Sequence, residues 1–119
     1  MPRRSEIVVQ LREINDAWIV DLTGEVDLYR SPAVRKKFEE VMSKNPKRFL
    51  VNLVKVSYMD SSGLATLIEA FQISKRKGIF LGLYGVNTTL KGLFEITRLE
   101  KVFNIFLTEE EALKGNPGS

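Results

Sequence analysis

The sequence predicts a single α/β domain built on a mixed, mostly parallel sheet of about five strands, with about four helices. Three observations carry that prediction. The chain has 119 residues, close to the commonest size of one domain with one hydrophobic core. After an opening hairpin, apolar residues switch between the two-residue period of strands and the 3.6-residue period of helices. Strands that alternate with helices in this way imply right-handed crossovers and therefore parallel neighbours.

Glu6 to Leu11 and Ala17 to Leu22 read as the first two strands. In the second, Trp18, Val20 and Leu22 share one face while Ile19 and Asp21 take the other. Glu13 to Asp16 lies between them, with Asn15-Asp16 as the turn. Thr23 to Arg30 reads as a polar loop. Ser31-Pro32 then starts a helix, Ser as N-cap and Pro at the first helical position. Val34, Phe38, Val41 and Met42 form its buried stripe, and Asn45-Pro46 ends it.

Phe49 to Leu53 is almost continuously apolar, as a strand covered on both faces would be. After a short connection, Asp60-Ser61-Ser62-Gly63 opens a second helix with the stripe Leu64, Leu67, Ile68 and Phe71, closed by Gly78. Ile79 to Tyr84 is a further strand. Asn87 or Thr88 caps a third helix carrying Leu90, Leu93 and Phe94. Val102 to Leu107 is a last short strand, and Thr108-Glu109-Glu110-Glu111 has the spacing of a capping box for a terminal helix. The domain is expected over residues 5–114, with 115–119 as a loose tail.

Composition narrows the chemistry. Hydrophobic residues make up 44% and charged residues 28%, ordinary values for a folded domain. The chain contains neither Cys nor His. Disulfides, thiol catalysis, thiolate metal sites, a Ser-His-Asp triad and the commonest metal ligand are thereby excluded together. No apolar run approaches the roughly 20 residues of a bilayer span, and Met1 to Arg12 lacks the apolar core of a secretory signal, so a cytoplasmic location without a membrane span is expected. The formal net charge of +3 is mild. The basic clusters Arg3-Arg4, Arg35-Lys36-Lys37, Lys47-Arg48 and Lys75-Arg76-Lys77 fit solvated helix faces and ends, and no nucleic-acid motif accompanies them, so no direct nucleic-acid partner is expected. Gly78, Gly82 and Gly85 lack phosphate-loop spacing, and no cofactor or metal is expected.

Polar residues gather in two loops that follow strands, Gly24-Glu25-Val26-Asp27 and Asp60-Ser61-Ser62-Gly63. If those strands are neighbours, Glu25, Asp27, Asp60, Ser61 and Ser62 share one acidic and hydroxyl-bearing surface. Three readings compete for it. Asp60 and Ser61 simply cap the helix; Asp27 and Asp60 act as a carboxylate pair, or Ser61 as a nucleophile; or Ser61 accepts a phosphoryl group. The catalytic reading suffers from the lack of His and Cys, and the residues around Ser61 do not form a Gly-x-Ser-x-Gly elbow. The third is physically permitted, because free N–H groups and the dipole at a helix start tolerate the about −1.5 to −2 charges that a phosphate adds.

The run Val51-Asn52-Leu53, then Val56-Ser57-Tyr58-Met59-Asp60-Ser61-Ser62-Gly63-Leu64, preceded by Leu22-Thr23-Gly24-Glu25-Val26-Asp27, resembles the STAS domain, and more narrowly the stand-alone bacterial anti-sigma factor antagonists. The similarity runs from about Ile7 to Leu113. It implies a mixed sheet with helices mainly on one side. It also implies a non-enzymatic role in transcription regulation by partner switching. The unphosphorylated form would bind an anti-sigma factor that is itself an ATP-using serine kinase, releasing the sigma factor. That kinase would phosphorylate Ser61 (Ser62 being the runner-up), and a metal-dependent serine phosphatase would reverse the step. Glu25, Asp27, Asp60, Ser61, Ser62 and Gly63 carry over as the partner-binding surface. A scaffold or accessory subunit of a stress-sensing assembly or of a lipid-transport ATPase is the alternative.

Overall fold

A computed structural model describes residues 7–115. Its elements run β1 (Val8–Ile14), β2 (Ala17–Val26), α1 (Ser31–Met42), β3 (Arg48–Met59), α2 (Ser61–Lys77), β4 (Phe80–Tyr84), α3 (Thr88–Thr97), a 3₁₀ turn (Leu99–Lys101), β5 (Asn104–Phe106) and α4 (Glu109–Lys114). The five strands form one sheet in the order β1-β2-β3-β4-β5. β1 and β2 are antiparallel, joined by the expected turn, with Ile14 paired to Ala17; every later pair is parallel. Each crossover steps to the adjacent strand in one direction, so right-handed connections place α1, α2 and α3 on the same side. The main core forms there, from Val20 and Leu22 of β2, Phe49, Val51 and Leu53 of β3, and the inward stripes of the helices. Phe38 meets Phe49 edge to face at 5.3 Å, and Phe94 and Phe71 both meet Phe103 in the same manner.

Element boundaries moved where the ends were predicted from polarity. β1 begins at Val8, and the predicted start at Glu6, the Arg3-Arg4 cluster and tail residues 116–119 lie outside the described residues. The last strand is shorter than Val102 to Leu107, because Leu99–Lys101 coils into a 3₁₀ turn after Arg98 adopts a left-handed backbone, φ 62°. Ser31 is the first helical residue, not the N-cap. The N-cap is Arg30, which makes no side-chain cap bond, and Asp27 orders the turn before it: its carboxylate accepts the N–H groups of Tyr29 and Arg30, and its carbonyl accepts those of Arg30 and Ser31. The clustered Lys75, Arg76 and Lys77 occupy the last turn of α2, as expected, and Lys77 donates to the Met42 carbonyl at 3.0 Å.

The larger difference concerns β2 and β3. The first half of the predicted polar loop Thr23–Arg30, to Val26, and the whole of the short connection after Leu53, to Met59, are strand. Both chains continue as a parallel pair to Val26 and Met59, with register shifts after Asp21 and after Gly24. The first shift is stitched by Asn52, whose amide donates to Asp21 at 2.8 Å while its oxygen accepts the Val54 N–H at 3.0 Å. Asn87, the N-cap of α3, braces the extension by donating to the Val56 carbonyl at 2.9 Å. The extension carries the polar residues beyond the body of the sheet.

Among the described residues the other side of the sheet is covered by α4, whose Ala112 packs with Ala17, Ile19, Leu50 and Tyr84. Thr108 caps α4 by accepting the Glu111 N–H at 3.2 Å, and Glu111 reaches back to Leu107 N rather than to the cap residue. α4 is fastened by a polar cluster drawn from five elements. Arg12 donates to Asp21 at 2.5 Å and to Glu109 at 2.5 Å, and the Tyr84 hydroxyl donates to Glu109 at 2.6 Å. Hydrogen bonds from Arg12 and Tyr84 hold the Glu109 carboxyl below its usual range. Burial pushes Asp21 upward, but its bonds from Arg12 and Asn52 outweigh that and leave it lowered as well. Folded-state values below the unfolded ones mean that both groups stabilise the fold fully above the unfolded carboxylate range of about 4, and that this stabilisation is lost as pH falls from there through the lower folded values. Glu109→Gln is therefore expected to lower stability by about 1 kcal/mol at neutral pH, half-exposed as the cluster is, and to narrow the gap from the parent as pH falls from about 5 to 3. Urea unfolding at a series of pH values checks this; a pH-independent gap would contradict it.

Candidate functional site

The paired β2–β3 extension brings both polar loops to one end of the molecule. Asp60 follows Met59 with extended backbone, its N–H donating to the Val26 carbonyl at 3.2 Å, and it is the N-cap of α2. One carboxylate oxygen accepts the N–H groups of Ser62 at 2.9 Å and Gly63 at 3.1 Å. The other accepts the N–H of Leu28 at 3.1 Å, across the gap between the two loops. Asp60 thus holds the loop after β2 against the start of α2. Asp27 is equally committed, to the turn that leads into α1 and to an ion pair with Arg30.

These bonds correct one feature of the sequence reading. Asp60 alone is the cap, and Ser61 is the first residue of the helix, exposed, with Ser62 half-buried behind it. Two of the N–H groups that could have received a phosphate on Ser61 are already taken by Asp60. Ser61 is exposed, so a group added to its hydroxyl would meet solvent.

Gly63 does not face outward either. It is buried, and a Cβ there would lie 2.5 Å from the Val26 carbonyl oxygen and 2.5 Å from Met59 Cγ. Its role is to let α2 close on β2. Gly63→Ala is expected to destabilise the fold by about 2 kcal/mol, because a backbone oxygen cannot yield, and this outweighs the better helix propensity of Ala. Denaturant melts check it, and a neutral or stabilising substitution would be incompatible with that close approach.

Sequence reasoning missed two parts of the surface. Arg30, with its side chain 10% exposed, pairs with Glu25 at 3.2 Å and with Asp27, so the acidic residues are partly neutralised from within. The loop also presents apolar side chains: Leu28 is 62% and Tyr29 83% exposed, and Tyr58, paired in register with Glu25, is 48% exposed. The adjacent apolar pair in a polar segment was the available signal. Acidic, hydroxyl and aromatic groups are thus exposed on the two loops that Asp60 ties together. No group of three or more acidic residues among those described could hold a metal ion.

Comparison with known proteins places the chain in a family. The model of the STAS domain matches residues 8–112, from β1 into α4. The chain belongs to the STAS domain family. The anti-sigma-B factor antagonist of Listeria monocytogenes is 33% identical over 111 residues, spanning 92% of this chain and 96% of that protein. Among solved structures, an anti-sigma factor antagonist from Mycobacterium paratuberculosis superposes with a TM-score of 0.87 at 20% identity, covering 96% of this chain and 97% of that one. The Bacillus cell fate determinant SpoIIAA, in its phosphorylated form, superposes with a TM-score of 0.70 at 22% identity, covering 90% and 97%. At these identities the two structures speak to the fold. In this STAS domain, no helix among the described residues is long and apolar enough to cross a membrane.

Proposed function

We propose that this STAS domain is an anti-sigma factor antagonist whose affinity for an anti-sigma factor is switched by phosphorylation of Ser61. The observation that carries the reading is the exposed Ser61 at the first position of α2, on a surface that also presents Leu28, Tyr29 and Tyr58. Exposed aromatic residues beside satisfied polar groups are the composition of a protein interface. The Listeria relative is named an anti-sigma-B factor antagonist, and SpoIIAA is known in a phosphorylated form. Ser61 is favoured over Ser62 by exposure: a kinase must reach the hydroxyl, and Ser62 is the more covered.

In this reading the partner is a serine kinase that brings its own ATP, and a serine phosphatase restores the binding form. Glu25, Asp27, Asp60 and Gly63 contribute by shaping and holding the surface, and the contact falls on Ser61, Ser62 and the apolar residues around them. The test is intact-mass and phosphopeptide analysis after incubation with ATP and a candidate anti-sigma factor kinase from the same organism. One phosphate on Ser61, absent from Ser61→Ala, is the expected result. A phosphate mapped to Ser62, or none, would overturn the assignment.

A further inference from the structure

The end of the molecule opposite Ser61 is strongly basic. The strands are parallel from β2 onward, so α1, α2 and α3 all run back from the Ser61 end and finish where β3, β4 and β5 begin. α2 alone, 17 residues from Ser61 to Lys77, separates the two ends by about 25 Å. At the far end, segments 43–48, 75–78 and 95–102 hold eight Lys and Arg against two Glu. Contacts join these segments into one rim. Lys77 donates to the Met42 carbonyl at the end of α1, and the Phe80 N–H donates to the Lys47 carbonyl at 3.0 Å. Phe71 of α2 meets Phe103, next to Val102, with ring centres 5.9 Å apart. We propose that this basic rim docks the domain on, not across, an anionic lipid surface.

Lys44 and Lys47 follow α1, Lys75, Arg76 and Lys77 end α2, and Arg98 and Lys101 flank the start and close of the 3₁₀ turn; all are exposed. Among the described residues none of these cations is in an ion pair, whereas Arg48, the eighth, pairs with Asp16 at 3.6 Å. The helix dipole accounts for the three on α2. It does not account for the others, since α1 and α3 have no basic residue in their last turn. Cations spread in this way, mostly Lys on long stems, suit the diffuse field of a charged surface rather than the grip of one anion. The rim also carries aliphatic tips. Ile96 is 84% and Val102 45% exposed, and they bracket Arg98 and Lys101 in the chain. Aliphatic side chains among lysines fit a lipid boundary, where the first enter the acyl region and the second meet phosphate. Nucleic acid fits worse. The helices reach this end with their C-terminal carbonyls, which disfavour phosphate, and the exposed aromatic residues Tyr29 and Tyr58 lie at the other end, so bases find no ring to stack on. Docked by this rim, the domain holds Ser61 away from the lipid, so docking does not depend on the reading of Ser61.

The test is co-sedimentation of the full chain with vesicles of phosphatidylcholine alone, or of three parts phosphatidylcholine to one part phosphatidylglycerol. At about 0.1 M salt the protein is expected to bind the anionic vesicles at least about tenfold more tightly than the neutral ones, and at about 0.5 M salt to lose that preference. Lys47→Gln/Lys75→Gln/Lys101→Gln, one change at each helix end, should weaken binding at least about tenfold. The same change of net charge elsewhere, Lys36→Gln/Lys55→Gln/Lys91→Gln, should stay within about threefold of the parent. Ile96→Ser should weaken binding about threefold, and Ser61→Asp should leave it unchanged. The substituted side chains are exposed, and thermal melts matching the parent's show that each variant is folded. No binding to the anionic vesicles, equal binding to the neutral ones, equal loss in the two triple variants, displacement by about 10 mM glycerol phosphate, or tighter binding to a short DNA duplex at the same salt would each overturn the proposal.

Discussion

Asp60→Ala is expected to lower the stability of the domain by about 2 kcal/mol, a large effect for a substitution at a partly exposed position. The reason is that one side chain does two jobs. It caps α2 through the N–H groups of Ser62 and Gly63, and it ties the loop after β2 by accepting from Leu28. Loss of an N-cap alone costs about 1 kcal/mol, and the loop contact adds to it. Asp60→Asn separates the two. Its amide oxygen still caps the helix, but the second oxygen becomes an NH₂ that cannot accept from Leu28. Asn should therefore recover most of the lost stability while amide exchange at Leu28 and Tyr29 stays accelerated. Denaturant melts with hydrogen exchange on both variants check the pair. If Asn slowed exchange at Leu28 to the parental rate, the tie would have no weight.

That double role marks the limit of what could be read in the chain alone. The helices were legible because their stripes repeat at 3.6 residues: Val34, Phe38, Val41 and Met42 are all buried, as are Leu64 and Leu67. The extension of β3 was not. Its buried residues Leu53, Val56 and Met59 fall three apart, because the register shifts break the two-residue alternation that identifies a strand. For the same reason the paired segment of β2 looked like a polar loop. The proximity of Asp27 and Asp60 was foreseeable from neighbouring strands, but their roles were not. Whether a carboxylate faces a partner or its own backbone depends on local dihedral angles, and here both face the backbone. The cluster on the opposite face is harder still, since Arg12, Asp21, Asn52, Tyr84 and Glu109 come from β1, β2, β3, β4 and α4 in turn. No local pattern links residues that far apart.

Ser61→Asp is expected to weaken binding to the proposed anti-sigma partner about 100-fold while leaving the fold within about 0.5 kcal/mol of the parent. The separation of those two effects follows from the occupancy of the helix start. A negative charge at the first turn is favoured by the helix dipole, so the fold gains slightly. The N–H groups of Ser62 and Gly63 are already bonded to Asp60, so the new carboxylate cannot be neutralised by them and stays on the surface. There it adds to Glu25 and Asp60, with Arg30 already engaged by Glu25 and Asp27. A partner closing over Leu28, Tyr29 and Tyr58 would have to desolvate that charge or bring its own acidic groups against it, a penalty of about 3 kcal/mol. Ser61→Asn, matched in shape and neutral, is expected to bind within about threefold of the parent. Titration calorimetry of the three proteins against the partner, with thermal melts in parallel, measures both quantities. Equal weakening by Asp and Asn would mean that shape rather than charge turns the interaction off, and a Ser61→Asp protein that lost its fold would place the switch inside the domain instead of on its surface.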